Sequence, residues 1–525
     1  MSAQVSEASK GPKSRHGGSG VVRSILSNWG SYLIAMAINF FLSPYIVRHL
    51  GNTGYGVWTL ILSLTGYLGL LDLGVRGAVT RYVAKFHAQA NHDQASNIAS
   101  SAMVIFATSG LIAIVMSIAV AVFIVGHMHI PPQYSIAARI VMILTGAGMA
   151  TSLVNGVYGG VLVGLQRFDL TNSIDIGINF LRAGAIVLAL YFGFEIVTLA
   201  CIQLLFTLVR WAANIGLVRH LYPQLKIRLS AADKTGIKLI FSFSVFSFLI
   251  HISGSLIYAT DNIVIGAFLP VSAVTFYVIG GNLVEYTRTL IGGISQTMTP
   301  LASSIEAAHD HERLQNVVLL SSRAAQMIVL PIALTFMLRG SSFIGLWMGR
   351  QYAELSGKVL GILSLTLVFW AATTVTSGSL LGLSKHRPLA PVMLVEGLCN
   401  LTLSVILVKG KLGILGVAWG TVLPSLATSL LFWPWHSHRT LGISPLSYMV
   451  SSWVRPGVAV VPFVLASYAI ERYWPPTRLV TFLVQVVLTL PLAMPGYWFI
   501  CLNRAHRENY SRQLVRALER VFARG

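Results

Sequence analysis

The chain has 525 residues, of which 55% are hydrophobic and only 10% are Asp, Glu, Lys or Arg. A soluble protein carries about 25% charged residues, so most of this surface faces something other than water. The formal charge of +20 does not point to nucleic acid, because the Lys and Arg sit at the ends of apolar runs, where they orient a membrane protein.

Residues 1–20 are polar, basic and rich in Gly and Ser, and read as a disordered tail with no cleavable signal. The first apolar span is therefore expected to stay as a signal anchor. Apolar blocks then recur to the end of the chain, about fourteen in all. Roughly 20 apolar residues wound as a helix match the hydrocarbon thickness of a bilayer, and lipid forces every such run to be helical. The spans fall near 28–49, 54–75, 98–126, 136–163, 172–193, 196–218, 237–259, 272–299, 316–338, 356–383, 389–409, 411–434, 447–470 and 477–502. The expected fold is an all-α polytopic membrane protein.

Charge orients it. With the N-terminus inside, the inner breaks and both tails hold about 24 basic residues and the outer breaks about eight, which puts both termini in the cytoplasm. The outer group includes Arg48, Arg339, Arg350 and Arg472; the inner group includes Arg76, Arg167, Arg219, Arg313 and Arg323. The longest inner break, 219–238, divides the chain after the sixth span. LGNTGYGVW (50–58) and LPVSAVTFY (269–277) echo one another at equivalent points of the two halves. Such parallel repeats carry a binding site at their interface in known transporters. The divisions are then a tail over 1–27, a six-helix lobe over 28–220, a linker over 221–236, a second lobe over 237–440, two extra spans over 441–503 and a tail over 504–525. The last tail places Leu514, Val515, Leu518, Val521 and Phe522 at helical spacing among Arg512, Arg516, Arg520 and Arg524. It reads either as a basic amphipathic helix on anionic lipid or as a solvated tail.

An ionisable side chain at mid-bilayer costs at least ~2.5 kcal/mol, so it faces a partner or a wet cavity. The intramembrane set is Asp72, Arg139, Asp175, Arg182, Arg210, Asp261, Glu285, Arg288, Glu396 and Arg455. Glu285 and Arg288 share one helix face. They are either a cavity wall, with a cation for an anionic ligand and a carboxylate for a proton, or a self-compensating pair. Asp72 and Arg76, four apart, carry the same two readings. Asp175 and Arg182 share a face of the fifth span, and Arg210 answers one of them across helices as a structural bridge. Glu396, one turn from Asn400, is a coupling acid or a neutral packing group. Asp261, at the outer end of its span, is either one of the functional intramembrane charges or a capping or loop residue near water. Arg139 and Arg455 snorkel, and His251 reads as a satisfied core histidine.

Catalytic patterns are missing. There is no phosphate-cradling Gly loop ending in Lys-Ser/Thr, no His-Glu-x-x-His, and no Gly-x-Ser-x-Gly in a strand context. The breaks are too short to fold a catalytic domain. Cys201, Cys399 and Cys501 lie inside apolar runs and read as small buried hydrophobes, without disulfide or metal site. The reading is not an enzyme, with no cofactor and no metal.

Several segments resemble bacterial oligosaccharide flippases (Wzx-like), the polysaccharide-transporter branch of the MATE-like MOP superfamily. They are RHLGNTGYGVWTL (48–60), GLQRFDLTNSID (164–175), YATDNIVIGAFLPVSAVTFY (258–277), FIGLWMGRQYAE (343–354) and VEGLCNLTLSVILVKGKLGILGVAWGT (395–421). Their order and spacing carry the resemblance, over about residues 28 to 434. It implies two pseudo-symmetric six-helix lobes around a cavity that opens alternately to the two sides, with two C-terminal helices added. The implied substrate is a polyprenyl-pyrophosphate-linked oligosaccharide, an O-antigen, capsule or exopolysaccharide repeat unit. It would be flipped from the cytoplasmic to the outer leaflet of the bacterial inner membrane.

By the same resemblance, cavity cations lie on the first two spans of each lobe. That favours Arg288, Arg76 and Arg48 over Arg182 and Arg210. Asn39, Tyr45, Tyr67, Asn282 and Tyr286 become sugar contacts, and Glu285, Asp72 and Glu396 candidates for ion coupling. The implied partners are the lipid-linked oligosaccharide, anionic membrane lipids, and polysaccharide polymerase and assembly proteins; nucleic acid is not among them. Two alternatives belong to the same superfamily: an ion-coupled multidrug exporter and a lipid-linked peptidoglycan precursor flippase.

Overall fold

The computed structural model describes residues 18–504 except 386, together with 507, 508 and 512. The described residues are helical with short connections and include no strand. The helices are α1 (Gly18–Leu68), α2 (Val75–Ala88), α3 (His92–Ala119), α4 (Pro132–Gly164), α5 (Phe168–Tyr191), α6 (Ile196–Leu221), α7 (Lys234–Tyr258), α8 (Thr260–Phe268) and α9 (Ser272–Ala307). There follow α10 (His311–Trp347), α11 (Arg350–Gly382), α12 (Leu389–Lys409), α13 (Gly413–Leu441), the bent pair α14 (Pro445–Ala459) and α15 (Val461–Tyr473), and α16 (Leu479–Cys501). Among the described residues, ten helices are long and apolar enough to cross a membrane, or eleven with the bent pair as one span. Each apolar block of the sequence falls on a helix. The protein is a multi-pass membrane protein.

The first helix holds two of those blocks. At Gly51 the backbone leaves the helical region (φ 67°, ψ 177°), a conformation that only glycine adopts cheaply, and the chain turns there from one span to the next. The same helix starts at Gly18, so residues 18–27, grouped above with the tail, are helical. The basic amphipathic tail lies almost wholly outside the described residues.

α1, α3, α4, α5 and α6 pack on one another, as do α7, α9, α10, α11, α12 and α13, and the two groups meet chiefly along α1 and α9. The echo segments touch each other at this seam. Gly56 lies so close to Val271 that a Cβ there would run into the Val271 carbonyl, and the Asn52 carbonyl accepts from Thr275 Oγ1 at 2.7 Å. The linker is held along α3. The backbone N–H groups of Lys226, Arg228 and Asp233 donate to the hydroxyls of Ser96, Ser100 and Ser101 at 3.0, 3.1 and 3.4 Å.

Several expectations change. Arg323 and Arg339, assigned to opposite breaks, both lie buried inside α10. Arg339 Nε donates to Glu471 Oε2 at 2.8 Å and Nη2 to Gln485 Oε1 at 2.5 Å, and its guanidinium lies 4.6 Å from the Phe482 ring centroid. Arg323 donates to the carbonyls of Ser451 and Cys501 and to the Ser451 hydroxyl. The two arginines, roughly 24 Å apart along the helix, thus tie the last two spans to α10 at two heights. Charge at the end of an apolar run marked them as loop residues; the helix simply continues, and its partners come from later in the chain.

Asp72 and Arg76 do not share a continuous helix either. Asp72 ends a 3₁₀ turn, Gly69–Asp72, and left-handed Leu73 and Gly74 separate it from α2, which carries Arg76. Asp72 instead accepts from the Arg76 backbone N–H at 3.4 Å at the start of α2, while its other oxygen lies 3.3 Å from Arg76 Nη2. Cys201 and Cys399 are exposed on helix surfaces rather than buried; Cys501 is buried.

Candidate functional site

The first lobe contains a cleft of two chambers, 410 and 660 Å³, that share Tyr32, Ser152, Asn155, Asp175 and Arg210. Both volumes fall in the roughly 300–1,000 Å³ range of ligand pockets. Polar side chains at steps of three, four or seven build the walls, because those spacings keep them on one helix face. α5 contributes Asn172, Asp175, Asn179 and Arg182; α6 contributes Gln203, Thr207, Arg210 and Asn214; α4 contributes Thr145, Ser152 and Asn155. From the second group, His251 and Gln296 also line the larger chamber. His251, expected as a satisfied core residue, is therefore an exposed chamber residue.

The cleft holds three arginines against two aspartates. Arg210 Nη2 donates to Asp175 Oδ2 at 2.9 Å, the interhelix bridge expected for Arg210. Arg76 pairs with Asp72 at the mouth, where its side chain is 52% exposed. Arg182 differs from both. Its Nη1 donates to Gln203 Oε1 at 3.1 Å and its Nη2 to Asn179 Oδ1 at 2.9 Å, with no carboxylate partner among the described residues. A half-buried guanidinium answered only by neutral amides leaves the inner chamber with a net positive charge.

The second lobe has the opposite balance. A 170 Å³ chamber is lined by Asp261, Tyr277, Asn282, Glu285, Arg288 and Thr421 among others. Arg288 donates to Thr366 Oγ1 at 3.0 Å and lies 3.7 Å from Glu285 Oε2, so the two form the expected intrahelical pair. Asp261 is not a solvated cap. It is 5% exposed and accepts from the Tyr277 hydroxyl and from Thr421 Oγ1 at 2.8 Å, with its Oδ1 buried and unpartnered. The break between α7 and α8 carries it inward, between α9 and α13. Glu396 lines a separate, mainly apolar groove of 520 Å³ between α12 and α13.

The remaining candidates scatter. Arg48 and Asn39 are exposed and line neither chamber of the first lobe. Tyr45 donates to the Val187 carbonyl at 3.2 Å, within the first lobe. Tyr67 reaches across to the second lobe, donating to the Ser255 carbonyl at 3.1 Å and bonding Thr260. Asn282 lines the small chamber, and Tyr286 is half-buried one turn further along α9.

At the end away from Arg76 the lobes are joined. Tyr352 donates to Asn52 Oδ1 at 2.5 Å, and the His129 N–H donates to the Gly266 carbonyl at 3.2 Å. The Val271 N–H donates to the His129 carbonyl at 3.3 Å. Phe40 stacks on Trp347 with centroids 4.7 Å apart. The cleft is thus sealed on the Asn52 side and reaches the opposite face at Arg76. The polar stripes of α5 and α6, which position most of the cleft, were visible as spacing in the sequence, but only the charged members were singled out.

The fold, two helical lobes with a polar cleft closed at one end, is also that of solved MATE-family structures. The chain belongs to the family described as polysaccharide biosynthesis protein, which matches residues 21–306. It is 23% identical over 403 residues, 76% of this chain and 93% of the relative, to the “Putative O-antigen transporter” of Shigella flexneri. The structure of the lipid II flippase MurJ in an inward closed conformation superposes with a TM-score of 0.70 at 12% identity, covering 91% of this chain and 99% of that one. An inward-facing multidrug resistance MATE transporter gives 0.66 at 17% identity, covering 78% and 94%.

Proposed function

We propose that this protein flips a polyprenyl-diphosphate-linked oligosaccharide from the cytoplasmic to the outer leaflet of the bacterial inner membrane by alternating access, as a transporter without catalytic chemistry. The observation that carries the reading is Arg182, a cation inside the first-lobe cleft whose hydrogen bonds go only to neutral amides. Lipid rejects a diphosphate, and a planar guanidinium fork matches its oxygens. Amide and hydroxyl side chains around it suit a sugar. Family membership and the O-antigen transporter of Shigella flexneri support the same substrate class.

In this reading Arg182 and Arg210 are the inner cations and Arg76 guards the mouth. Arg288 sits with Glu285 and Asp261 on the coupling side, in the second lobe, with Glu396 nearby on α12. Both termini are cytoplasmic, so the open end of the cleft faces the compartment where such lipids are made. The lobes span 28–220 and 237–440.

The test is flipping of a fluorescent polyprenyl-diphosphate sugar in proteoliposomes. Arg182→Ala combined with Arg210→Ala should reduce the rate at least tenfold, with Arg48→Ala near wild type. Unchanged flipping in the double variant would remove the anion site. Export of a lipophilic cation drug by the same vesicles would favour the multidrug alternative, which the cation excess of the cleft argues against.

A further inference from the structure

Asn155 on α4 and Asn214 on α6 meet side by side in the wall of the larger chamber. Asn214 Nδ2 donates to Asn155 Oδ1 at 2.9 Å. The residues are 8% and 4% exposed, so both are more than nine-tenths buried. That single bond uses one donor and one acceptor. Asn155 Nδ2 and Asn214 Oδ1 remain, with no partner among the described residues, and neither is among the polar atoms sealed from solvent. Exchanging the nitrogen and oxygen of both amides leaves the same result, one donor and one acceptor presented to the chamber. A half-used amide pair is unfavourable to keep in a helix bundle unless water or a ligand completes it.

We propose that this pair is the subsite for the sugar joined to the diphosphate, and that it binds two adjacent ring hydroxyls. The assignment rests on the flippase reading above. One hydroxyl accepts from Asn155 Nδ2 and its neighbour donates to Asn214 Oδ1. An anion cannot satisfy the acceptor, and a trans acetamido group turns its N–H and C=O to opposite edges, so it engages only one of the two atoms. The position agrees: Asn214 lies one turn beyond Arg210 on the same face of α6, about 6 Å along the axis, comparable with the span of one pyranose. The diphosphate at the arginines and the first ring at the asparagines therefore follow one another along a single helix.

Binding is measured on the full-length protein in nanodiscs with three short-chain polyprenyl diphosphates: unglycosylated, glucosylated, and carrying 3,4-dideoxyglucose. Wild type should bind the glucosyl lipid at least tenfold more tightly than the dideoxy one. Asn155→Leu combined with Asn214→Leu should abolish that preference while binding the unglycosylated lipid as wild type does. Arg182→Ala should weaken all three. If wild type shows no preference while Arg182→Ala still weakens the bare diphosphate, the sugar subsite is overturned and the flippase reading stands. If the bare diphosphate does not bind, or is indifferent to Arg182→Ala, the flippase reading itself fails. The wild-type comparison decides the matter even if the double variant does not fold.

Discussion

The Tyr352 hydroxyl donates to Asn52 Oδ1 at 2.5 Å, joining α11 of the second lobe to the turn between the first two spans. Asn52 also holds Thr275 through its carbonyl, and Gly51 turns the chain to present it. One residue thus carries two bonds of the closed end. Hydrogen bonds of this kind contribute about 0.5–1.5 kcal/mol each, enough to bias a conformational equilibrium without freezing it.

In a chain with the native cysteines replaced, cysteines at positions 52 and 352 should be joined by a reducible bis-maleimide. The length of a tyrosine separates the two backbones, beyond the reach of a direct disulfide. Flipping should stop when the link forms and return with reductant. Cross-linked vesicles that still flip at the free rate would show that this contact does not open during transport.

Gly56 is the place where the seam tolerates no side chain. Gly56→Ala should cost about 1–3 kcal/mol through overpacking against Val271, seen as a lower melting temperature in detergent. It should also slow cross-linking between positions 52 and 352, because the seam can no longer close fully. A melting temperature equal to wild type would contradict the contact.

Arg339 and Glu471 form a buried pair, at 0% and 23% side-chain exposure. Removing one partner leaves an uncompensated charge, so Glu471→Gln should destabilise by about 3–5 kcal/mol. Arg339→Met with Glu471→Leu should recover much of that loss. Thermal unfolding followed by tryptophan fluorescence distinguishes these cases; equal stability of all three proteins would deny that the pair fastens the last spans.

Asp261 is the buried acid of the second lobe with an unpartnered oxygen. Asp261→Asn keeps its size and removes its charge. It should leave binding of the diphosphate lipid within about twofold and reduce ion-gradient-driven flipping by tenfold or more, an interaction of roughly 1.4 kcal/mol or above. Normal gradient dependence in the variant would assign coupling to another acid.

Much of the fold was legible because hydropathy reports depth, and depth dictates helices. The Glu285–Arg288 pair was legible too, since both residues sit on one helix and spacing settles their geometry. The Arg210–Asp175 bridge was anticipated as a cross-helix answer without its partner being named. The burial of Asp261, the inclusion of Arg339 within α10 and the meeting of Asn155 and Asn214 were not legible. Each depends on a residue at least sixteen positions away, on another helix.

By itself the sequence determined that the chain threads a bilayer as helices, and which spans carry polar groups that lipid will not accept. Those follow from the cost of exposing backbone and charge to hydrocarbon. Only the tertiary structure decided which polar faces look into a common cleft and that Arg182, alone of the cleft arginines, has no acid partner among the described residues. The rotation of each helix about its own axis is set by packing against its neighbours, and apolar surface of nearly uniform hydropathy does not encode it.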